Sequence, residues 1–191
     1  MPYPSQVTDT TIVDTASALI ERDGAEALSL ARVATELGIK APSLYRYFDS
    51  KSALLQAVNL RTNQALIAAL IDAADAAASL THADRIMAVA HAYRGFAHAH
   101  PRAYALAYST TDRSAQPDPA TLAALAQQVQ AIVAPVSGSS HSLAALRGLW
   151  ALVHGFIVLE LTGQFQRGGD LDAAYGYAVA GYVRGISYGA G

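Results

Sequence analysis

The sequence predicts an all-α protein: an N-terminal three-helix domain with a helix-turn-helix, joined by a long helix to a larger C-terminal helical domain. Three observations carry this. The 191-residue chain is 52% hydrophobic and alanine-rich, with only 7 prolines. Such a composition favours helices and supplies a sizeable core. Apolar residues recur at three- and four-residue steps, and no stretch alternates as a strand would. Capping residues and breakers fall between these runs at helix-length intervals.

Each element has its own signal. Residues 8–22 place Ile12, Ala16, Leu19 and Ile20 on one face, and Asp23-Gly24 ends the run. Ser29 is placed to cap a helix over 30–37, its hydroxyl accepting from an otherwise unpaired backbone N–H. Gly38 stops that helix, because glycine adopts the left-handed conformation without strain. Pro42 suits the first turn of the next helix, which is expected to reach about Phe48. Ser50 is positioned to cap a long helix over 51–78. Helices over 82–98, 101–111, 119–134, 140–161 and 170–187 follow. The breaks between them are Thr81, His100-Pro101, residues 112–119, residues 135–139 and Gly168-Gly169. The expected domains are 1–55 and 56–191, with the helix-turn-helix at about 29–48.

Composition excludes several chemistries. Without cysteine there are no disulfides, zinc–thiolate sites or cysteine nucleophiles. Residues 1–10 carry no base, so neither a signal peptide nor a basic arm is expected there. The apolar stretch between Arg147 and Glu160 is interrupted by His154 and is shorter than the ~20 residues that cross a bilayer. A soluble, cytoplasmic chain with no membrane partner is therefore expected. Ser139-Ser140-His141 lacks an acidic partner, and no glycine-rich phosphate cradle occurs. No enzyme activity and no cofactor are expected. His91, His98 and His100 are too widely spaced for a convincing metal site, so none is expected. Asp84, His91, Arg94 and His98 recur on one face and read as solvated, opposite Ile86, Val89, Tyr93 and Phe96.

The net charge of -2 argues weakly against nucleic acid, but its distribution argues the other way. Between residues 30 and 63, five bases (Arg32, Lys40, Arg46, Lys51, Arg61) face two acids (Glu36, Asp49), a local charge of +3. Small Ala34 lets a second helix cross closely. Val33, Leu37, Ile39, Leu44 and Tyr47 are suited to fill the wedge between the two helices. Lys40, Ser43, Tyr45, Arg46 and Tyr47 then project outward, where they could enter a major groove.

The stretch from Leu30 to Leu55 resembles the signature of TetR-family repressors. Its most specific part is Leu44-Tyr45-Arg46-Tyr47-Phe48, followed by Lys51 and Leu54-Leu55. The resemblance implies that Ser29 and Arg32 open the first motif helix beside the DNA, and that residues 40–43 begin the recognition helix. Ser43 and Arg46 are the expected base readers. Tyr45, Tyr47 and Lys51 would fix phosphates, with one of the two tyrosines, Tyr47, expected to be packed. Pro42 would offer an apolar contact to a thymine methyl. Ala41 and Ser43 are short, so few base contacts and some reliance on DNA shape are expected.

The C-terminal half resembles the Trp-His-Gly type of regulator domain, on Trp150, His154 and Gly155. The family resemblance implies a small-molecule effector of unknown identity. Met87, Tyr93, Phe96, Tyr104, Tyr108, Leu122, Leu125, Val129, Trp150 and His154 are the expected lining residues. For each aromatic the plain alternative is core packing, and for His154 a structural hydrogen bond. Ala144, Gly148, Ala151 and Gly155 form a stripe of small residues on one helix. Gly176, Ala180, Gly181 and Gly185 form another on the last. These stripes suggest a homodimer through a four-helix bundle, close packing within one chain being the alternative. The whole reads as a ligand-responsive repressor that binds a palindromic double-stranded DNA operator. The rival reading is a helical small-molecule-binding module without DNA binding, against which Ser43, Arg46 and Lys51 argue.

Overall fold

The computed structural model describes residues 7–109 and 113–187. These residues form helices and connecting turns, with no strand among them. In order the helices are α1 (Asp9–Asp23), α2 (Leu30–Glu36), α3 (Ala41–Leu44), α4 (Lys51–Ala76), α5 (His82–Ala99) and α6 (Pro101–Ser109). A 3-10 turn, Arg113–Ala115, precedes α7 (Pro119–Ser137), α8 (Ser142–Leu161) and α9 (Leu171–Ser187). The residues before Val7, and the expected end of the sixth helix at Thr111, lie outside the described residues.

The caps act where the sequence places them. Ser29 accepts from the Arg32 amide at 3.2 Å, and Ser50 from the Ala53 amide at 3.1 Å. Thr8 and Thr11 cap α1 reciprocally, each side chain accepting from the other's backbone N–H. Gly38 sits at φ +68°, where a side chain would be strained. One expected break fails. α7 runs through Pro135 to Ser137. The proline removes a single helical hydrogen bond in the final turn, and Val133 and Ser137 stay buried on one face across it.

Packing divides the chain into two compact units. The first comprises residues up to Gln64 together with His100–Pro119; the second comprises Ala65–Ala99 and the residues from Ala120 on. This differs from the boundary expected after residue 55. The segment from His100 packs with the N-terminal helices because it contacts α1 and the first half of α4.

The first unit has one apolar core. Ile12, Ala16 and Ile20 of α1, Val33 of α2, Leu44 of α3 and Leu54 and Val58 of α4 are all fully buried. Burying a large aliphatic side chain of this kind contributes roughly 1.5–3 kcal/mol. Ala115 closes this core, and Asn59 on α4 donates to its carbonyl at 2.6 Å.

The second unit is organised around Tyr175 of α9, which is fully buried and donates its hydroxyl to the Ala90 carbonyl at 2.7 Å. Phe156 and His91 pack edge-on to its ring at 5.1 and 5.6 Å. Leu149, Val153 and Ile157 direct one face of α8 into this core. By length and composition α7 and α8 are long and apolar enough to cross a bilayer. α8 reaches that length only by including Arg147 and Glu160, and core helices of soluble proteins pass the same test.

Candidate nucleic-acid interface

The outward surface of α3 depends on what its inward residue does. α3 is a single turn with Leu44 fully buried beneath it and Pro42 in its first turn. The helix ends at Leu44 instead of reaching Phe48, and residues 45–47 form a turn. The inward register shifts accordingly. Phe48, with Leu37 and Ile39, packs against the core, whereas Tyr47 does not enter the wedge. Tyr47 is 38% exposed and donates to the Val7 carbonyl at 3.0 Å. Tyr45 is 55% exposed. Lys40, Pro42 and Arg46 are exposed, and Ser43 is half-buried. Among the described residues nothing engages the Lys40 ammonium or the Arg46 guanidinium.

Two of the residues expected at DNA also make exposed contacts within the chain. The Arg32 guanidinium donates to Asp23 at 2.5 Å and to the Ala27 carbonyl at 3.0 Å, locking α2 to the end of α1. Hydrogen bonds from Arg22 and then Arg32 hold the Asp23 carboxyl below its ordinary value, although partial burial opposes this. Lys51 reaches the Glu26 carbonyl at 3.3 Å. The exposed residues of the motif without such a contact are Lys40, Pro42, Tyr45 and Arg46, with Ser43 at their edge.

The proposed effector-lining residues fall in both units. Tyr104 and Tyr108 belong to the first, their rings 5.0 Å apart. The Tyr108 hydroxyl donates to Asn63 at 2.7 Å, and burial raises its pKa. In the second unit, Tyr93 is buried edge-on to Trp150 at 5.6 Å, and Val129 is buried. Met87, Phe96, Leu122, Leu125, Trp150 and His154 are half-buried. Desolvation lowers the His154 pKa, favouring the neutral ring.

Of the face expected to be solvated, Asp84, His91 and His98 are exposed, but Arg94 is not free in solvent. Arg94 makes a two-pronged ion pair with Glu160, at 2.8 and 2.6 Å, and reaches Asp172 at 2.6 Å. His98 approaches the same carboxylate at 3.0 Å. The Arg94 hydrogen bonds hold the Glu160 carboxyl down to about 2. The available signal was an acid at the end of an otherwise apolar run. Ser140 and His141 meet at 3.1 Å on an exposed turn.

The small-residue stripes separate into two kinds. Gly148 has an intrachain reason: a Cβ there would lie 2.1 Å from the Tyr182 hydroxyl, which donates to the Ala145 carbonyl at 2.8 Å. Gly155, Gly176 and Gly185 have open space where a Cβ would stand. Ala144, Ala151, Gly181 and Gly185 are exposed, and Ala180 is half-buried.

Comparison with known proteins agrees with this architecture. Residues 12–58 match the family model for bacterial regulatory proteins of the tetR family, and residues 86–182 match that for the tetracyclin repressor-like C-terminal domain. The HTH-type transcriptional regulator Rv0681 of Mycobacterium tuberculosis is 33% identical over 165 residues, covering 84% of this chain and 73% of its own. A protein of Rhodococcus sp. RHA1 superposes with a TM-score of 0.79 at 25% identity, over 97% of this chain and 100% of that one. TetR from Acinetobacter baumannii AYE gives 0.68 at 17%, over 96% and 98%. The chain belongs to the TetR family of DNA-binding transcriptional regulators.

Proposed function

We propose that this regulator is a cytoplasmic, non-catalytic homodimeric repressor that reads a palindromic operator and releases it when a small molecule binds. The carrying observation is the short α3, seated on buried Leu44 and presenting Lys40 and Arg46, which nothing among the described residues engages, beside exposed Tyr45. Arg46 can pair with both guanine acceptors in a major groove, while Lys40 and Tyr45 set register on phosphates. Arg32 supports the position of α2 and makes no base contact. Two such helices must lie about one DNA turn apart to read two half-sites, which requires a dimer.

The outward faces of α8 and α9 support that dimer. Leu143, Leu159 and Tyr177 are 46%, 44% and 77% exposed. The same helices carry Gly155, Gly176 and Gly185, which no contact among the described residues requires. Glycine inside a helix costs roughly 0.5–1 kcal/mol against alanine, so close approach of a second copy would account for them. The effector is assigned to the second unit, which holds Tyr93 edge-on to Trp150 together with the expected lining residues Val129 and His154. It need only prefer the DNA-incompetent state, with a coupling of about 1–3 kcal/mol.

Sedimentation of the protein with its own upstream intergenic DNA, paired with transcription from that promoter in vitro, tests this reading. Two protomers per operator and reduced transcript are expected. A monomer bound per site, or unchanged transcript with the site filled, would contradict it.

A further inference from the structure

The exposed face of α9 carries a seven-residue repeat. Asp170, just before the helix, then Tyr177 and Arg184 follow at intervals of seven, which keeps all three on one face. All three are exposed, and Tyr177 is the most exposed of the large apolar side chains among the described residues. Ala173 and Gly181 lie between them and are exposed too. The buried residues Tyr175, Val179 and Val183 occupy the other face.

The charges at the two ends of this face are not used within the chain. Among the described residues neither Asp170 nor Arg184 has an ion-pair partner. One carboxylate oxygen of Asp170 accepts from the Asp172 and Ala173 amides, at 2.8 and 3.1 Å, and the other makes no such bond. The Arg184 guanidinium lies back along the face, with one nitrogen 3.9 Å from where a Cβ on Gly181 would stand. Asp172, turned the other way, is taken by Arg94 at 2.6 Å.

Fourteen residues of helix span about 21 Å, with Tyr177 midway. A negative end and a positive end equidistant from one residue make the face complementary to itself. Turned by half a revolution about an axis through Tyr177, it meets its own copy antiparallel, and each Asp170 stands opposite the partner's Arg184. Ala173 then faces the partner's Gly181, so small residues flank the axis and leave room for two tyrosine rings. Parallel pairing would set like charges together at both ends.

We propose that α9 pairs antiparallel with α9 of a second copy, in the register that puts Tyr177 on the two-fold axis and joins Asp170 to the partner's Arg184 twice. The proposal rests on the dimer reading above and fixes its register.

Sedimentation combined with thiol cross-linking tests it. The chain has no cysteine, so a single introduced thiol can pair only with its own copy in the partner. Cα atoms that meet on the axis of two closely packed helices are about 5 Å apart, within disulfide range. Oxidised at a concentration where it sediments as a dimer, Tyr177→Cys should become a covalent dimer. Ala173→Cys stands about 12 Å from its copy along the helix and should not. Arg184→Glu sets two like-charge pairs across the axis and should raise the dimer dissociation constant by about 2- to 30-fold, the range for two exposed ion pairs. Adding Asp170→Asn, which keeps the cap and removes the charge, should recover part of that loss. Wild-type protein that sediments as a monomer overturns the dimer reading and the register with it. A dimer in which position 177 fails to cross-link, or position 173 cross-links as readily, overturns the register alone. So does an Arg184→Glu penalty that Asp170→Asn leaves unchanged.

Discussion

Replacing Gly148 by alanine sets two opposed effects against each other. Helix propensity alone would make Gly148→Ala stabilising by about 1 kcal/mol. Against this, the new methyl would stand 2.1 Å from the Tyr182 hydroxyl and 2.8 Å from the ring carbon bearing it. The ring must swing away, giving up its hydrogen bond to Ala145. That loss costs about 0.5–1.5 kcal/mol, and forcing a side chain into packed space adds roughly 1–3. The net is a destabilisation of about 1–3 kcal/mol, with a melting temperature lower by roughly 2–4 °C per kcal/mol for a chain of this size. Urea unfolding of Gly148→Ala, Tyr182→Phe and the double variant measures it. Removing the hydroxyl removes the nearest clash, so the penalty should shrink by about 0.5–1.5 kcal/mol in the Tyr182→Phe background, read as a coupling in the cycle. A stabilised single variant, or strict additivity, would refute the intrachain reason for this glycine. So would a penalty that varies with protein concentration, which would place Gly148 in the dimer contact.

Other consequences follow from the same geometry. Glu160 is held at about 2, against an ordinary value of 4.5, by Arg94. Its contribution is therefore fully present above about pH 4.5 and is lost as pH falls toward 2. Glu160→Gln should flatten that acid limb in urea midpoints taken across pH, and should cost about 2–3 kcal/mol at pH 7, less than the roughly 3–5 of a fully buried pair because Asp172 still faces Arg94. An unchanged limb would contradict the assignment. Gly38→Ala should destabilise by about 1–2 kcal/mol, since its φ of +68° disfavours a Cβ; Gly38→Asn should cost less, and equal costs in urea unfolding would argue against this cause.

What the sequence made legible was local. Ser29, Gly38 and Ser50 act within a few residues of themselves, so caps and turns could be read directly. The buried positions of α1 and α2 follow from helical spacing. What was not legible depends on residues far apart in the chain. Arg94 looks solvated until α8 brings Glu160, 66 positions away, against it. Gly148 looks like part of a dimer stripe until Tyr182 is laid across it. Arg32 and Arg46 are both bases in the motif, yet only the fold reveals that Asp23 occupies the first and leaves the second exposed. The expected recognition helix was too long because a periodic pattern cannot register that Leu44 ends the helix and Phe48, not Tyr47, turns inward.

If α3 reads DNA, it does so through Arg46. The direct measurement is a titration of the upstream intergenic duplex and a scrambled duplex across a salt series, using wild type and Arg46→Ala. Wild type should prefer its own sequence, with affinity falling steeply as salt rises. Arg46→Ala should lose about 1–3 kcal/mol on that sequence and little on the scrambled one, narrowing the preference. Equal loss on both duplexes would make Arg46 a phosphate contact, and an unchanged preference would place sequence reading outside α3.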